Sequence, residues 1–504
     1  MFIKLKSAAT VGLNCLPVDV EVDLHKGQTN FNIVGLTDTS IQEARSRIYS
    51  ALKNSDFFYP FNFRILVNLA PADLHKEGPA YDLPMAVGII SLSNNLGLKP
   101  DDSLFVGELA LDGRLRHTNG ILPLALFAKE NKIRKIFVPE VDAPEAGLVR
   151  DLEIYPVKNL KQLINHLTLE NPIEQYRRPK GWNDFSRPEY ELDMSMVKGQ
   201  EFVKRALEIS ASGAHNIAMC GPPGSGKTLL ARSMPSILPR LTLDEALEIT
   251  KIYSIAGLLH SGFIKQRPFR TPHHTASGVA LVGGGKNPQP GEISLAHRGV
   301  LFLDEFPEFP RSALENLRQP LEDGVITISR ARGSHTFPAC FILVASQNPC
   351  ACGYNDDPEK TCSCSPSQIM HYRKKISGPL LDRIDLFVQV PRVNIDKLIS
   401  EQLAEPSANI RERVENARER QYARFKGIPI YTNSEMRNAE IKKFCQLDKK
   451  SIEILRSAVS QMHLSARAYN RTIKLARTIA DLTESENISS GHIAEALQFR
   501  AKEE

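Results

Sequence analysis

The sequence predicts an α/β protein with three folded parts, of which the last is helical. Strand-like and helix-like segments alternate over residues 1–165, and they alternate again from Val197 to about Val393. Within the second stretch, a glycine-rich loop lies between a strand and a helix. After about Ile395, glycine and proline become scarce and apolar residues recur at helical spacing. These observations define the fold class.

Length and composition agree with this division. At roughly 150 residues per domain, 504 residues correspond to about three domains. The chain is 42% hydrophobic and 24% charged, which excludes disordered and collagen-like classes, and eight cysteines are too few for a secreted disulfide framework. The net charge of +5 permits a polyanionic partner without requiring one. No apolar run approaches the ~20 residues that cross a bilayer, so we expect a cytoplasmic protein without membrane contact.

Shifts in composition predict the domain boundaries. We place an N-terminal α/β domain at residues 1–167, an irregular linker at 168–192, the phosphate-binding core at 193–393 and a helical domain at 394–504. The N-terminal domain has two predicted helices, Thr39–Lys53 and Leu83–Leu92. Its predicted strands are Phe2–Lys6, Val18–Val22, Phe31–Val34, Phe63–Leu69, Ile136–Pro139 and Leu152–Val157.

The glycine-rich loop has the G-x-x-x-x-G-K-[ST] spacing of a nucleotide-binding phosphate loop. Its glycines let backbone N–H groups turn toward phosphates, and the following helix adds a positive N-terminal dipole. Lys227 can reach the β- and γ-phosphates, and the Thr228 hydroxyl can ligate Mg²⁺. The predicted nucleotide-binding residues are Gly221, Pro222, Pro223, Gly224, Ser225, Gly226, Lys227, Thr228 and Leu229.

Two further apolar strands end in polar residues. The run Gly299–Leu303 is followed by Asp304, which we expect to ligate Mg²⁺, and by Glu305, which we expect to polarise the attacking water. The run Phe341–Gln347 is followed by Asn348. Asn348 is as consistent with a contact to water or the γ-phosphate as with a turn residue before proline.

The order of these motifs resembles that of AAA+ ATPases. The segment Gly291–Glu305 resembles the lead-in to the acidic strand of magnesium-chelatase-type AAA+ proteins, and Gly378–Asp385 resembles their arginine-finger region. Over essentially its whole length, the chain is similar to the ComM/YifB family of bacterial magnesium-chelatase-like ATPases. The resemblance implies a P-loop AAA+ αβα core with an α-helical lid domain, and it implies ATP and Mg²⁺ as ligands.

The resemblance also implies two arginines that act on ATP. Arg383 matches the arginine finger, which reaches the nucleotide of a neighbouring subunit and therefore requires an oligomer, a homo-hexameric ring in this family. Arg467 matches the sensor-2 arginine of the lid, and Arg471, one turn further along, is the less favoured candidate. The alternative for either lid arginine is a surface or packing role.

Two insertions of the core carry candidate DNA contacts. The resemblance implies that a helix-2 insert, here about Phe269 to His297, and a pre-sensor-1 hairpin, here Ile326–Phe337, project into the ring pore. Lys286, Arg330 and Arg332 are the candidate phosphate-contacting residues. The alternative interpretation is a solvated, charged hairpin tip.

Four cysteines lie within fifteen residues and form two C-x-C pairs. Four thiolates can build a tetrahedral zinc site, although C-x-x-C is the commoner spacing. We favour structural zinc at Cys350, Cys352, Cys362 and Cys364 over free thiols or disulfides. Our hypothesis is that this zinc stiffens the subunit interface that positions the arginine finger.

The N-terminal segments Lys76–Ala86 and Gly107–Leu115 resemble the Lon protease domain, which implies an α+β fold. In that family the nucleophilic serine follows Gly-Pro, where this chain has Ala80, and the lysine of the dyad would fall at about Leu124. We therefore expect an inactive Lon-like domain that binds DNA or braces the ring.

Two functions remain open at this point. The favoured one is an ATP-driven hexameric DNA motor, a branch-migration helicase that acts on recombination intermediates during natural transformation or homologous recombination. Its expected partners are single-stranded and branched DNA, with a recombinase or other recombination proteins as candidates. The alternative is a chelatase-type ATPase that remodels a protein partner.

Overall fold

A computed structural model describes residues 1–98, 100–181, 190–259, 262–285, 288–330, 333–355, 357–393, 404–462 and 464–500. The chain divides into two compact units, one of Met1–Asp184 with Leu243–Ile264 and one of Phe185–Thr242 with Lys265–Glu504. This division differs from the predicted boundaries at residues 243–264, which the sequence had assigned to the phosphate-binding core. It also joins the predicted core and the helical domain in one unit. The predicted linker residues 182–189 and the start of the predicted helical domain, 394–403, lie outside the described residues.

The first unit is built on a seven-stranded mixed sheet. Two long antiparallel pairings, formed by Asn14–Lys26 with its neighbours on both sides, stand next to parallel strands. In spatial order the strands are Asn30–Val34, Phe63–Ala70, Asn14–Lys26, Phe2–Val11, Ser103–Phe105, Lys135–Pro139 and Glu153–Val157. A two-stranded ribbon pairs Glu108–Leu109 with Leu115–Arg116.

Helices cover the sheet of the first unit and bury its apolar side chains in two clusters. The helix Thr39–Asn54 begins where the Asp38 carboxylate accepts the N–H of Ile41 at 2.8 Å. The helix Leu243–Ile255 packs against Ile121–Glu130. The helices of this unit are Thr39–Asn54, Asp82–Ser93, Ile121–Glu130, Ala143–Ala146, Leu160–Leu167 and Leu243–Ile255, with short 3₁₀ turns at Pro79–Tyr81 and Glu140–Asp142.

The second unit contains a five-stranded parallel sheet that positions the predicted nucleotide site. In spatial order its strands are Phe269–Arg270, Val300–Leu303, Ile342–Gln347, Ile217–Cys220 and Leu386–Gln389. The strand before the phosphate loop therefore lies beside the strand before Asn348, which in turn lies beside the strand before Asp304. Because all these strands are parallel, their polar carboxyl-terminal residues meet at one edge.

Helices surround this sheet and continue into the carboxyl-terminal part. One apolar cluster includes strand residues such as Val344 and helical residues such as Val414 and Ile479, which explains why the core and lid form one unit. The helices are Glu201–Gly213, Lys227–Ser233, Gly278–Val282, Glu292–Leu295, Arg311–Glu315, Arg318–Asp323, Pro366–Arg373, Gly378–Leu381, Ser407–Arg424, Asn438–Phe444, Lys449–Gln461, Ala466–Leu482 and Ser490–Gln498. Short 3₁₀ turns lie at Met194–Met196, Met234–Ile237, Phe306–Glu308 and Asn433–Glu435.

The second unit also contains two antiparallel ribbons. The predicted hairpin consists of Val325–Arg330 paired with Gly333–Pro338, and the insert contributes Gly283–Gly284 paired with Gln289–Pro290. In the part of the chain that the structure describes, no helix is both long enough and apolar enough to span a membrane. The structure thus has the predicted α/β class, with parallel sheets and a helical carboxyl-terminal region.

Candidate functional site

The phosphate loop joins the strand Ile217–Cys220 to the helix Lys227–Ser233. Gly224 and Gly226 have positive φ angles of 79° and 88°, a backbone conformation that favours glycine. Gly221 meets a different requirement, because a Cβ there would lie 2.2 Å from the carbonyl oxygen of Val390. Two of the motif glycines are thus needed for the turn and one for close packing against the chain after the neighbouring strand.

The ammonium group of Lys227 is held at the centre of the loop. It donates to the carbonyl oxygens of Gly221 and Pro222 at 2.7 and 2.9 Å, and to Oδ1 of Asn348 at 3.3 Å. These three acceptors match the three N–H donors of an ammonium. Burial lowers the pKa of Lys227. A phosphate group bound in the loop would therefore lie next to a desolvated ammonium group whose hydrogen-bond acceptors are all uncharged.

A hydroxyl group and a carboxylate that can ligate a hard metal cation lie beside this lysine. The Thr228 hydroxyl donates to Oδ2 of Asp304 at 3.0 Å, and Ser346 donates to Oδ1 of the same carboxylate. Oxygen ligands of this type suit Mg²⁺, which is bound in nucleotide sites by one or two protein groups plus phosphates and water. The predicted magnesium residues Thr228 and Asp304 therefore fit the ion, and Ser346 orients the carboxylate, a role that the sequence analysis did not identify.

Glu305 follows Asp304 in a left-handed conformation with φ 50°. Its carboxylate is 55% exposed, and Oε2 lies 3.2 Å from Nδ1 of His274. No motif in the sequence indicates His274 as a partner of Glu305. Only the sheet order, which places Phe269–Arg270 next to Val300–Leu303, brings the residues after these two strands together. The arrangement leaves Glu305 accessible and gives it one cationic or hydrogen-bonding partner.

The two arginines predicted to act on ATP share a carboxylate. Glu322 forms an ion pair with Nη2 of Arg383, and its other oxygen lies 3.7 Å from Nη2 of Arg467. The hydrogen bond from Arg383 lowers the pKa of Glu322. Arg383 also donates from Nη1 to the carbonyl oxygen of Pro379 at 2.6 Å. The structure therefore brings both predicted arginines to Glu322, which the sequence analysis did not single out.

Arg471, the less favoured lid candidate, has different surroundings. Its Nη1 lies 3.2 Å from Oδ1 of Asp385, whose Oδ2 accepts from the backbone N–H of Asn216 at 3.1 Å. Burial alone would raise the pKa of Asp385, but Arg471 and His215 hold that pKa well below its usual range. Arg471 thus neutralises a buried carboxylate.

The four clustered cysteines converge as predicted. Their sulfur atoms all lie within 4.8 Å of one another, and the Cys350–Cys352, Cys350–Cys362 and Cys352–Cys362 Sγ distances are 3.4, 3.7 and 3.5 Å. Tetrahedral zinc with Zn–S bonds of about 2.3 Å requires sulfurs about 3.8 Å apart. The donor set therefore fits zinc.

The candidate DNA contacts are described only in part. Arg330 is exposed at the end of its hairpin strand, and a Cβ on Gly284 would lie 3.1 Å from its Nη2. The insert and the hairpin thus lie together. Lys286 and Arg332 lie outside the described residues.

The apolar residues at the two Lon-dyad positions lie in the first unit. Leu124 is buried, and Ala80 is partly buried against the same apolar cluster. No nucleophile or lysine stands at either position.

Fold and site together define a P-loop protein with an acidic strand, an adjacent polar strand and a helical lid. Family models described as magnesium chelatase, subunit ChlI, match residues 193–398, 20–142 and, for its C-terminal part, 404–500. The class is therefore that of the magnesium-chelatase-like AAA+ ATPases.

Comparison with individual proteins shows which family of this class the chain belongs to. The chain is 44% identical over 503 residues to "Competence protein ComM" of Haemophilus influenzae, covering 98% of this chain and 96% of that protein. It is 42% identical over 498 residues to protein YifB of Escherichia coli and 41% identical over 502 residues to YifB of Salmonella typhimurium, with the same coverages. The chain belongs to the ComM/YifB family.

Proposed function

We propose that this protein is a cytoplasmic, homo-hexameric ATP-driven DNA motor that catalyses branch migration in recombination intermediates. The Haemophilus influenzae relative is a competence protein by name, so integration of incoming DNA is the proposed setting. In this proposal Lys227, Thr228 and Asp304 bind Mg²⁺-ATP, and Glu305 acts as the base that orients water. Asn348, which contacts Lys227, positions the γ-phosphate.

The observation that carries the DNA-motor proposal is the position of Glu322. It pairs with Arg383 and Arg467, the arginines assigned to ATP, and it lies three residues before the hairpin strand that ends in exposed Arg330. A movement of the arginines at hydrolysis would reach the hairpin through Asp323 and Gly324, the two residues between Glu322 and the hairpin strand. Such a connection converts a change at ATP into displacement of a phosphate-binding tip.

The hexamer follows from the proposed role of Arg383. A guanidinium acting on the nucleotide of the next subunit requires head-to-tail interfaces, and these close into a ring. DNA bound in the pore through backbone phosphates would be recognised by charge, without strong sequence preference.

We also propose structural zinc at Cys350, Cys352, Cys362 and Cys364. Support comes from the convergence of the four sulfurs. For the N-terminal unit we propose a Lon-like domain without protease chemistry, because Ala80 and Leu124 offer neither a nucleophile nor a base.

The second candidate function is remodelling of a protein partner. It is favoured by the family models, all three of which describe a magnesium chelatase subunit. The ATP site is common to both candidates, so only the response to DNA distinguishes them.

The decisive experiment is strand exchange on a synthetic four-way junction with ATP. We expect the wild-type chain to carry out strand exchange on the junction. We also expect that DNA stimulates its ATPase activity. The Glu305→Gln variant should still bind ATP but convert at least about a hundredfold more slowly, because the general base is lost. The control is Glu419→Gln, a change at an exposed position on the helix Ser407–Arg424, which should behave as wild type.

A further arm of the same experiment tests the hairpin. Arg330→Ala should weaken DNA binding and make its salt dependence shallower by about one charge, with nucleotide affinity unchanged. If wild-type protein neither processes junctions nor responds to DNA, the motor proposal fails and protein remodelling becomes the better candidate.

A further inference from the structure

The segment that holds the four cysteines lies against the phosphate loop. We call residues 350–364 the cysteine loop. Gly353 of this loop is buried, and a Cβ at this position would lie 2.7 Å from Cδ of Pro223 and 3.9 Å from Cγ of Asn348. The backbone at Gly353 is therefore packed directly on a proline ring of the phosphate loop.

The turn that presents Gly353 is organised by the sulfur atoms. The N–H of Gly353 donates to the carbonyl oxygen of Cys350 at 3.0 Å, and the N–H of Asn355 donates to Sγ of Cys350 at 3.3 Å. The N–H of Cys352 donates to Sγ of Cys364 at 3.4 Å. The residue that touches Pro223 is thus fixed from both sides by the cysteine cluster.

The cysteine loop also forms ion pairs with Arg392, in the segment that follows the strand Leu386–Gln389. Asp357 and Glu359 pair with Arg392 at 2.8 and 2.9 Å. Arg392 lies two residues after Val390, whose carbonyl oxygen packs on Gly221. The cysteine loop therefore contacts the phosphate loop at Pro223 and is tied to the strand end that contacts Gly221.

The cysteine loop is held by the convergence of its sulfurs and by ion pairs and hydrogen bonds of Asp357, without regular secondary structure in its described part. Among its described residues, none lies in a helix or strand. A metal bound by four thiolates contributes its binding free energy to the folding of such a segment.

We propose that zinc in the cysteine cluster positions the phosphate loop, so that zinc occupancy sets the affinity for ATP. The metal fixes the Gly353 turn, and Gly353 holds Pro223 and the neighbouring backbone N–H groups in the phosphate-binding conformation. This inference rests on the proposed zinc site. It gives the metal a different task from stiffening the interface of the arginine finger.

A pair of glycine variants of the full-length chain tests the contact itself. Gly353 and Gly427 both have φ +84°, but nothing lies within 4 Å of a Cβ at Gly427. The Gly353→Ala and Gly427→Ala variants therefore both place alanine at the same left-handed φ, and only the first pushes on Pro223. We expect Gly353→Ala to keep its zinc, measured by metal analysis, and to bind a fluorescent ATP derivative about tenfold more weakly. Gly427→Ala should bind as wild type does.

A second measurement uses the wild-type chain and removes the metal with a zinc chelator under reducing conditions. Affinity for the ATP derivative should fall as zinc is lost and return when zinc is added. Absence of zinc from the purified protein would refute the zinc site and this inference with it. Full zinc content with an affinity that neither chelation nor Gly353→Ala alters would overturn this inference alone. If Gly353→Ala does not fold, the chelation result decides.

Discussion

At the residue level, Arg467 and Arg471 differ in what they neutralise, although they lie one turn apart on the helix Ala466–Leu482. Arg467 is 59% exposed and pairs loosely with Glu322, whereas Arg471 is 19% exposed and faces Asp385. An exposed guanidinium on a loose pair can move to a nucleotide at little cost. A guanidinium that neutralises a buried carboxylate cannot move away without leaving that carboxylate buried and unpaired.

Alanine variants should separate these two roles. Arg471→Ala should lower the free energy of unfolding by about 3 kcal/mol, because Asp385 loses its cation in a buried position. Arg467→Ala should leave that free energy within about 0.5 kcal/mol of wild type and slow ATP turnover by roughly tenfold or more. Denaturant titration and steady-state ATPase assays measure the two effects. Loss of turnover at full stability in Arg471→Ala would instead make Arg471 the arginine that acts on ATP.

At the level of elements, the helix Leu243–Ile255 is anchored in the first unit by a buried carboxyl group. Glu145 accepts from the hydroxyl of Ser254 at 2.5 Å and from the N–H of Leu122 at 2.6 Å. Burial raises the pKa of Glu145 to about 7, against an ordinary value of 4.5. The folded state therefore holds this proton more tightly than the unfolded chain does.

This raised pKa predicts a pH dependence of stability. Between pH 4.5 and about 7 the folded state binds more protons at Glu145, so the free energy of unfolding falls as pH rises through this window. The loss should approach roughly 3 kcal/mol, and Glu145→Gln should remove it. Urea titrations of wild type and variant at a series of pH values measure the difference.

The control for this prediction is Glu140→Gln, which removes a surface carboxyl group that pairs with Lys158. Its pH profile should follow that of wild type. A Glu145→Gln profile that parallels wild type from pH 5 to 8 would show that Glu145 is ionised throughout the range, contrary to the prediction.

At the level of the whole molecule, the proposed trans action of Arg383 requires that one subunit complete the site of the next. Lys227 and Arg383 would then work in different active sites of the ring. Arg383→Ala and Lys227→Ala should each abolish ATPase activity when alone. Mixed rings would contain some interfaces in which a subunit with an intact phosphate loop contacts a subunit with an intact Arg383.

Random mixing of the two variants before assembly should restore roughly a quarter of the wild-type ATPase, because each interface draws its two halves independently. Mixing Arg383→Ala with the Arg383→Ala/Lys227→Ala double variant should restore none, since no intact finger is present. If the first mixture also stays inactive while mixed rings form, Arg383 acts within its own subunit or not on ATP.

Local patterns in the sequence were sufficient for the phosphate loop, the two strands followed by Asp304 and Asn348, and the cluster of four cysteines. Each of these depends on residues that are close along the chain, and backbone geometry or thiol chemistry permits few alternatives for them. The helical carboxyl-terminal region was predicted for the same reason, because its apolar spacing has the helical period.

Tertiary structure decided what depends on distant residues. The parallel order of the second sheet brings His274 to Glu305, helix packing brings Arg383 and Arg467 to Glu322, and the cysteine loop lies on Pro223. The helix Leu243–Ile255 belongs to the first unit, where the carboxyl group of Glu145 accepts a hydrogen bond from the hydroxyl of Ser254. The sequence by itself thus determined the class of chemistry, since motif residues are local. The partners that tune each charged group were decided by the tertiary structure, because burial and ion pairing depend on which surfaces meet.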